Sequence, residues 1–283
     1  MVLESLVNPF KAERNPWEMF FIGFLYSSVG IALSLWIFLD QASLIMVFLT
    51  VMACIPVVYN TMIFEERKDL VIDGESKLLK EHNKAIVFLM FLFVGVTLSS
   101  VVWYIFLPPA TINLLFDKQT QTIQSINNMV SGSAAQQFSV FFKIFFNNIK
   151  VLSFAILFAF IYCAGAIFIL TWNATVIGTA IGNFIRSNLS DYAASMGLVN
   201  LGSYFHIVSI GLLKYAVHGI PEIIAYFYGG LAGGIISVAI VKHHYSSEKF
   251  SNILFDASEL LIISIAFLLA AAFLEVFVTP VLF

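Results

Sequence analysis

The sequence predicts an all-α polytopic transmembrane helix bundle, with about seven spans, that forms one integral membrane domain over residues 1–283. Three observations predict this class: 60% of the residues are hydrophobic, only 11% are charged, and the mean hydropathy is +0.94. A soluble domain of this length carries far more charge. The lipid bilayer is therefore the expected environment. The net charge is −3 and no basic block occurs, which excludes nucleic acid as a partner.

The first three apolar runs predict spans at residues 19–39, 44–64 and 85–107. Each run is long enough to cross a hydrocarbon core of about 30 Å as a helix. Residues 65–84 between the second and third runs hold the densest charge in the chain, which predicts a solvated cytoplasmic loop or a short surface helix. Residues 108–147 are nearly uncharged, and they predict an outer loop that contains an interfacial helix.

The second half of the chain predicts four further spans and one shorter segment. Residues 150–170, 197–217, 220–241 and 260–283 are each long enough to cross the membrane. Residues 173–185 are too few, because a helix of about a dozen residues reaches roughly 18 Å. We therefore predict a re-entrant or broken half-helix at 173–185, shielded from lipid by surrounding protein.

The distribution of lysine and arginine predicts a cytoplasmic N-terminus in the cell membrane. With seven spans and the N-terminus inside, ten of the 14 basic residues lie on the inner side. The other four are Lys118, Lys143, Lys150 and Lys214. If residues 173–185 crossed the membrane instead, Lys242 and Lys249 would move outside and the bias would weaken.

The segment His218-Gly219-Ile220-Pro221-Glu222 is the most unusual part of the sequence, because it places ionisable groups in an apolar tract. One interpretation is structural. Gly219 and Pro221 break the helix, Glu222 caps the free N–H groups of the next helix, and His218 bonds the nearby backbone. An ion pair with Lys214 is a second structural interpretation. The functional interpretation is a polar site for a proton, an ion or a lipid headgroup.

Three other polar side chains extend this candidate polar site. Asn173 and Asn183 bracket the predicted half-helix, where they either bond its broken backbone or line a polar cavity. His206 shares the apolar tract of His218 and is interpreted as a core or interhelical histidine. The Asn147-Asn148 pair is interpreted as the cap of the fourth helix.

Small residues at helical spacing predict close helix packing. They are Ala225, Gly229, Gly233 and Ser237 in one segment, and Gly178 and Gly182 in another. Cys54 and Cys163 lie in apolar runs and are interpreted as core residues. No spacing typical of zinc ligands, catalytic serine or phosphate loops occurs, so we predict no metal, no cofactor and no catalytic residue.

Residues 147–241 resemble the stage II sporulation protein M family of integral membrane proteins. The resemblance is carried by His218-Gly219-Ile220-Pro221-Glu222, by the run Gly229-Gly230-Leu231-Ala232-Gly233-Gly234, by Asn147-Asn148, and by the segment from Phe168 to Ala174. Val217 stands where the family usually has proline. The resemblance implies a multi-span scaffold, since the founding members anchor a complex that remodels peptidoglycan beside single-pass hydrolases. It implies no catalytic residues.

Three functional hypotheses follow. The first is a non-enzymatic scaffold or assembly subunit, which acts with a membrane-protein partner or as a homo-oligomer. The second is a transporter or channel with a polar site at His218 and Glu222, which a water-filled cavity reaching Glu222 would favour and a dry, fully packed surround would disfavour. The third is an intramembrane hydrolase that uses the same two side chains.

Overall fold

The computed structural model describes residues 15–72, 75–130, 134–159, 164–196, 201–241 and 250–282, and no strand occurs in these ranges. A 3-10 turn, Leu39–Gln41, joins the first two helices, and a π-helical segment, Leu274–Val278, joins the last two. The α-helices of these ranges are α1 (Trp17–Ile37), α2 (Ala42–Val71), α3 (Glu75–Phe106), α4 (Pro109–Leu115), α5 (Asp117–Val130), α6 (Ala134–Ala159), α7 (Ala164–Met196), α8 (Leu201–Val241), α9 (Phe250–Phe273) and α10 (Thr279–Leu282).

Seven helical stretches are long and apolar enough to cross a membrane. They lie in α1, α2, α3, α6, α7 and α8, and in the continuous stretch from α9 to α10. The all-α polytopic class and the number of spans are therefore confirmed. Three of the predicted spans differ in position.

The re-entrant half-helix predicted at 173–185 is wrong. These residues belong to α7, whose apolar stretch Ala166–Ser190 is one of the seven. Arg186 does not end the helix, because its guanidinium donates to carbonyl oxygens at the end of α3. The distances are 3.1 Å to Tyr104 and 2.7 Å to Leu107. A charged side chain with such partners is accommodated at the end of a span.

The separate spans predicted at 197–217 and 220–241 form one helix within the described residues. Helix α8 continues through Gly219 and Pro221 and has 41 residues, a length of about 61 Å at 1.5 Å per residue. Pro221 removes one backbone hydrogen bond, the one to the Val217 carbonyl. Contacts with α6, α7 and α9 run along this helix, so tertiary packing outweighs the local preference for a break.

The fourth span predicted at 150–170 has the wrong boundaries. Helix α6 ends at Ala159 and α7 begins at Ala164, and the apolar stretch of α6 is Gln137–Ala159. Residues 137–146, predicted as an interfacial helix, are the first part of that stretch. The Asn147-Asn148 pair therefore lies inside α6 and does not cap it.

Among the described residues, the charged segment 65–84 is helical except at Ile72, so the predicted loop is wrong. The alternative of a surface helix holds only in part, because these residues are the ends of two long helices. Helix α2 continues to Val71, and α3 begins at Glu75. Glu65 is fully buried, where its carboxylate accepts hydrogen bonds from Lys68 at 2.7 Å and pairs with His82 Nδ1 at 2.8 Å. This cluster ties α2 to α3. The side of the membrane on which it lies stays a prediction.

Small residues lie where helices approach one another most closely. A Cβ on Gly182 of α7 would lie 2.7 Å from the Tyr104 Cβ of α3. A Cβ on Gly233 of α8 would lie 2.9 Å from the Ala159 Cβ of α6. Ala225 and Ser237 of α8 are buried, and Gly229 and Gly178 meet α6 and α3 in the same way. These contacts fix α6, α7 and α8 as the frame of the site described next.

Candidate functional site

A cavity of about 890 Å³ lies between α6 and α7, and we call it the α6–α7 cavity. One face of α6 and one face of α7 form its long walls. Helix α8 contributes two side chains, and α2, α5 and the π-helical segment contribute one each. Its volume lies near the upper end of the range for small-molecule sites, about 300–1,000 Å³. The polar lining residues used below are Lys143, Asn148, Asn173, Glu222, Tyr226 and Glu275.

The α6 wall of this cavity changes from polar to apolar along its length. Lys143, Asn147 and Asn148 lie at one end, and Phe154 and Phe158 lie at the other. Helical rise places Asn148 and Phe158 about 15 Å apart, which is half of the hydrocarbon thickness of about 30 Å. The cavity therefore has a polar end and an apolar end separated by the depth of one lipid leaflet.

Three aromatic residues at the apolar end are also open to the outside of the bundle. Phe154, Phe158 and Phe168 line the cavity and keep 44%, 38% and 37% of their surface exposed. In a chain that spans a membrane, exposed aromatic side chains of this kind face lipid. The cavity is therefore accessible from the side of the bundle.

Two side-chain amides in the cavity lining lack hydrogen-bond acceptors. The Nδ2 atoms of Asn148 and Asn173 are buried, and neither donates to an atom of the described residues. Asn148 as a whole is only 5% exposed. A buried donor without a partner costs about 1–3 kcal/mol, so native proteins usually supply one or bind a molecule that does.

Two carboxyl groups also face the cavity. Glu222 Oε1 accepts a hydrogen bond from the Tyr226 hydroxyl at 2.8 Å, one turn along α8. Glu275 lies within electrostatic range of both Glu222 and Tyr226. In the described part of the chain, neither carboxyl group forms an ion pair. An ionised carboxylate in so apolar a lining needs a cation beside it.

His218 fixes the π-helical segment that carries Glu275. The Thr279 hydroxyl donates to the Leu274 carbonyl at 3.0 Å, across this segment. Because that donation uses the hydroxyl proton, the contact of 3.2 Å between Thr279 Oγ1 and His218 Nδ1 requires the histidine to donate. Segments of π-helix are frequent at functional sites, where they redirect side chains. Here the segment directs Glu275 into the cavity.

Two of the six predicted polar-site residues line the cavity, Glu222 and Asn173. His218 and Glu222 lie one turn apart on α8 but engage different partners, Thr279 and Tyr226. The helix-start device predicted for them is wrong, because α8 has no break there.

The other three predicted polar-site residues lie elsewhere. Lys214 places its ammonium 5.4 Å from the centre of the Phe184 ring and forms no ion pair with Glu222. Asn183 accepts a hydrogen bond of 3.2 Å from the Tyr104 hydroxyl. His206 is exposed, so its interpretation as a core histidine is wrong, while the interhelical alternative stays a prediction.

Most polar side chains of the cavity lining lie outside the polar site that the sequence predicts. Each is a polar group within an apolar helix or span, and they are Lys143, Asn148, Tyr226 and Glu275. The available signal was an amide pair in the middle of the phenylalanine-rich run of α6, and an acid in the last apolar run. Such residues are costly at membrane depth unless they line a cavity.

A metal centre receives no support from this arrangement. In the ranges that the structure describes, no three His, Cys, Asp or Glu residues are placed to hold a metal ion. Cys54 is a buried free thiol. Cys163 lies outside the described residues.

Comparison with known protein families matches residues 84–280 to stage II sporulation protein M. The match covers well over half of the chain. The chain belongs to the stage II sporulation protein M family. The matched region begins within α3 and ends within α10, so it includes both long walls of the α6–α7 cavity and both carboxyl groups. No curated protein and no solved structure matches the chain.

Proposed function

We propose that this member of the stage II sporulation protein M family is a transporter that binds an amphipathic molecule from the bilayer in the α6–α7 cavity. One observation carries the proposal. A cavity of about 890 Å³ reaches Glu222, and it also contains a second carboxyl group and two unpartnered amides. A scaffold needs no such polar interior, and the free energy of leaving these groups buried must be offset by something that binds them.

The amphipathic nature of the substrate follows from the shape and lining of the cavity. A fully polar solute would leave the aromatic end, Phe154 and Phe158, without an apolar partner. A fully apolar one would leave the amide nitrogens of Asn148 and Asn173 without an acceptor. A molecule with a polar head and an apolar chain satisfies both ends, and it can enter from lipid past the exposed aromatic residues.

The proposal is tested by blocking the cavity. Val151 of α6 lines it, whereas Leu157 of the same helix is 59% exposed and does not. We expect the purified wild-type protein to translocate fluorescent lipid analogues across liposome membranes. Val151→Trp places a bulky side chain midway along the cavity and should slow translocation by about tenfold or more, since a ligand at an obstructed site loses contact area. Leu157→Trp adds the same side chain facing outward and should match the wild type.

Absence of translocation by the wild-type protein, together with absence of bound lipid after purification, would overturn the proposal. Equal rates for the two tryptophan variants would show that lipid moves by a route other than the α6–α7 cavity. Circular dichroism and size-exclusion chromatography of each variant establish that the fold is retained.

The scaffold role that the family resemblance implies is the second candidate, and one surface favours it. Phe138, Phe142 and Phe146 follow one another at four-residue spacing on α6 and are 65%, 52% and 63% exposed. A regular aromatic stripe of this kind can pack against a helix of a membrane-protein partner or of a second copy. A photo-crosslinking amino acid at Phe142 should then capture a discrete protein in native membranes, and capture of lipid alone contradicts the scaffold role.

The hydrolase hypothesis is the least supported, because His218 and Glu222 point to different partners and share no hydrogen bond in the described structure. Complementation of a deletion strain tests it. A full phenotype with Glu222→Gln and with His218→Ala would exclude a hydrolytic role for these residues.

A further inference from the structure

The polar groups of the α6–α7 cavity make two complementary demands on a ligand. The amide nitrogens of Asn148 and Asn173 are buried donors that lack acceptors among the described residues. Glu222 and Glu275 are carboxyl groups that line the same cavity and form no ion pair with a described residue. A single ligand that meets both demands must carry acceptor oxygens and a hydrogen-bonding cation.

The positions of the polar side chains in the cavity predict where the ligand's oxygens and its cation bind. Lys143 and Asn148 lie at the polar end of α6, where an ammonium group and an amide favour phosphate or ester oxygens. Glu222 and Glu275 come from α8 and from the π-helical segment, on the other side of the cavity. An anionic oxygen therefore fits beside α6, and a cation fits beside the two carboxyl groups.

The cation must also donate hydrogen bonds. The Tyr226 hydroxyl satisfies one oxygen of Glu222, and the other oxygens of the two carboxyl groups have no donor among the described residues. A primary ammonium group brings three N–H donors, whereas a quaternary ammonium brings none. An anionic headgroup without an amine would face two carboxyl groups with nothing to offset the repulsion.

We propose that the α6–α7 cavity selects an amphiphile whose headgroup joins a protonated primary amine to phosphate or ester oxygens, an inference that rests on the proposed function. Asn148, Asn173 and Lys143 hold the oxygens, and Glu222 and Glu275 hold the amine. His218 acts as a positioning residue, since its bond to Thr279 fixes the segment that carries Glu275. The acyl chain lies along Phe154 and Phe158.

The test uses Trp172, which lines the cavity, as a built-in reporter. Full-length protein in detergent is delipidated and titrated with lipids brominated in the acyl chain, and quenching of tryptophan fluorescence is measured. The difference between wild type and Trp172→Phe isolates the cavity signal from that of the other three tryptophans, Trp17, Trp36 and Trp103. The lipids are phosphatidylethanolamine, phosphatidylcholine and phosphatidylglycerol, and free phosphoethanolamine serves as a competitor.

We expect phosphatidylethanolamine to bind about tenfold or more tightly than the other two lipids, since two carboxyl groups gain charged donors. The double change Glu222→Gln and Glu275→Gln should abolish this preference and leave residual binding of phosphatidylglycerol. Glu259→Gln is the matched control, because Glu259 lies on α9 outside the cavity lining. The comparison of three lipids on the wild type decides the matter even if the double variant does not fold.

Each contrary result has its own meaning. Equal affinity for the three lipids overturns the amine selectivity and leaves the proposed function standing. No quenching that depends on Trp172 overturns both. Competition by free phosphoethanolamine as strong as that by the lipid supports the headgroup chemistry but overturns an amphipathic substrate.

Discussion

His218 shows how one side chain can act on a site that it does not enter. Its ring lies on α8 one turn from Glu222, yet its contact is with Thr279, beyond the π-helical segment. Thr279 in turn donates back to Leu274, so the two hydrogen bonds close the segment on itself. The histidine therefore stabilises a backbone irregularity whose effect is to direct Glu275 at the cavity.

Removing this anchor should have a measurable cost. We expect His218→Ala to lower the free energy of unfolding by about 1 kcal/mol, the usual contribution of one neutral hydrogen bond. For a chain of 283 residues this corresponds to a fall in Tm of about 2 °C. Thermal unfolding in detergent measures it. His206→Ala, at an exposed position on the same helix, should leave Tm unchanged, and equal Tm values for both variants would contradict the anchoring role.

At the scale of residues, the sequence predicted the site only in part. Glu222 and Asn173 could be selected because a polar group at membrane depth is costly wherever it points. Asn148 and Glu275 carry the same cost, but their importance depends on which faces of α6 and of the last span turn toward α7 and α8. That information is long-range, and no local pattern contains it.

Helix α8 is the element in which local and tertiary preferences disagree most. Glycine and proline close together usually end a helix, so the sequence predicts a break at Gly219 and Pro221. The observed helix continues because its small residues pack closely against α6 while α9 runs beside it. In a bilayer, a broken backbone would also leave polar groups exposed to lipid, which favours continuity.

Two glycine substitutions in α8 test this continuity. At Gly219 an added Cβ would meet only Ile177 Cδ1, at 3.9 Å, so Gly219→Ala should stabilise the helix by about 0.5–1 kcal/mol. At Gly233 the added Cβ would lie 2.9 Å from Ala159 Cβ and 3.1 Å from the Ile156 carbonyl. Gly233→Ala should therefore destabilise the protein by about 1–3 kcal/mol.

Thermal unfolding of the two variants gives opposite signs if the helix is continuous. Destabilisation by Gly219→Ala would indicate that this glycine ends a helix in a backbone conformation that alanine resists, as the sequence pattern alone suggested.

The apolar runs predicted the number of spans, but two of their boundaries depended on contacts that a local pattern does not contain. Arg186 predicts the end of a short helix at 173–185, because a charge after a dozen apolar residues usually marks the membrane surface. Its actual partners are the last carbonyl groups of α3, far away in the sequence. The Asn147-Asn148 pair resembled a cap because nothing local distinguishes a cap from a cavity lining.

For the whole molecule, the corrected helix boundaries change which basic residues lie on each side of the membrane, but they do not reverse the predicted orientation. One crossing is gained at α7 and one is lost when the predicted fifth and sixth spans merge in α8. Lys242 and Lys249 therefore keep their predicted inner side, and Arg186 moves to the outer side. Lys150 now lies within the span of α6, so the remaining basic residues divide nine to four in place of ten to four. The predicted cytoplasmic N-terminus keeps its support from the positive-inside rule.

Cysteine labelling tests this topology in a background in which Cys54 and Cys163 are replaced by alanine. Three exposed residues serve as labelling positions. Lys80 lies near the start of α3, Lys118 lies in α5, and Ser187 lies near the end of α7. We expect a membrane-impermeant maleimide to label Lys118→Cys and Ser187→Cys in intact cells. Lys80→Cys should react only after permeabilisation, because one span separates it from Lys118 and charge places it inside.

Ser187 is the position that distinguishes the alternatives. If residues 173–185 formed a re-entrant half-helix, the chain would return to the inner side and Ser187→Cys would be protected in intact cells together with Lys80→Cys. If the whole orientation were reversed, Lys80→Cys alone would react. Labelling of Lys118→Cys and Ser187→Cys without Lys80→Cys requires that α7 crosses the membrane, because one crossing through α6 and one through α7 return the chain to the side of α5. The same result requires that the polar end of the α6–α7 cavity, near Lys143, lies toward the outer side.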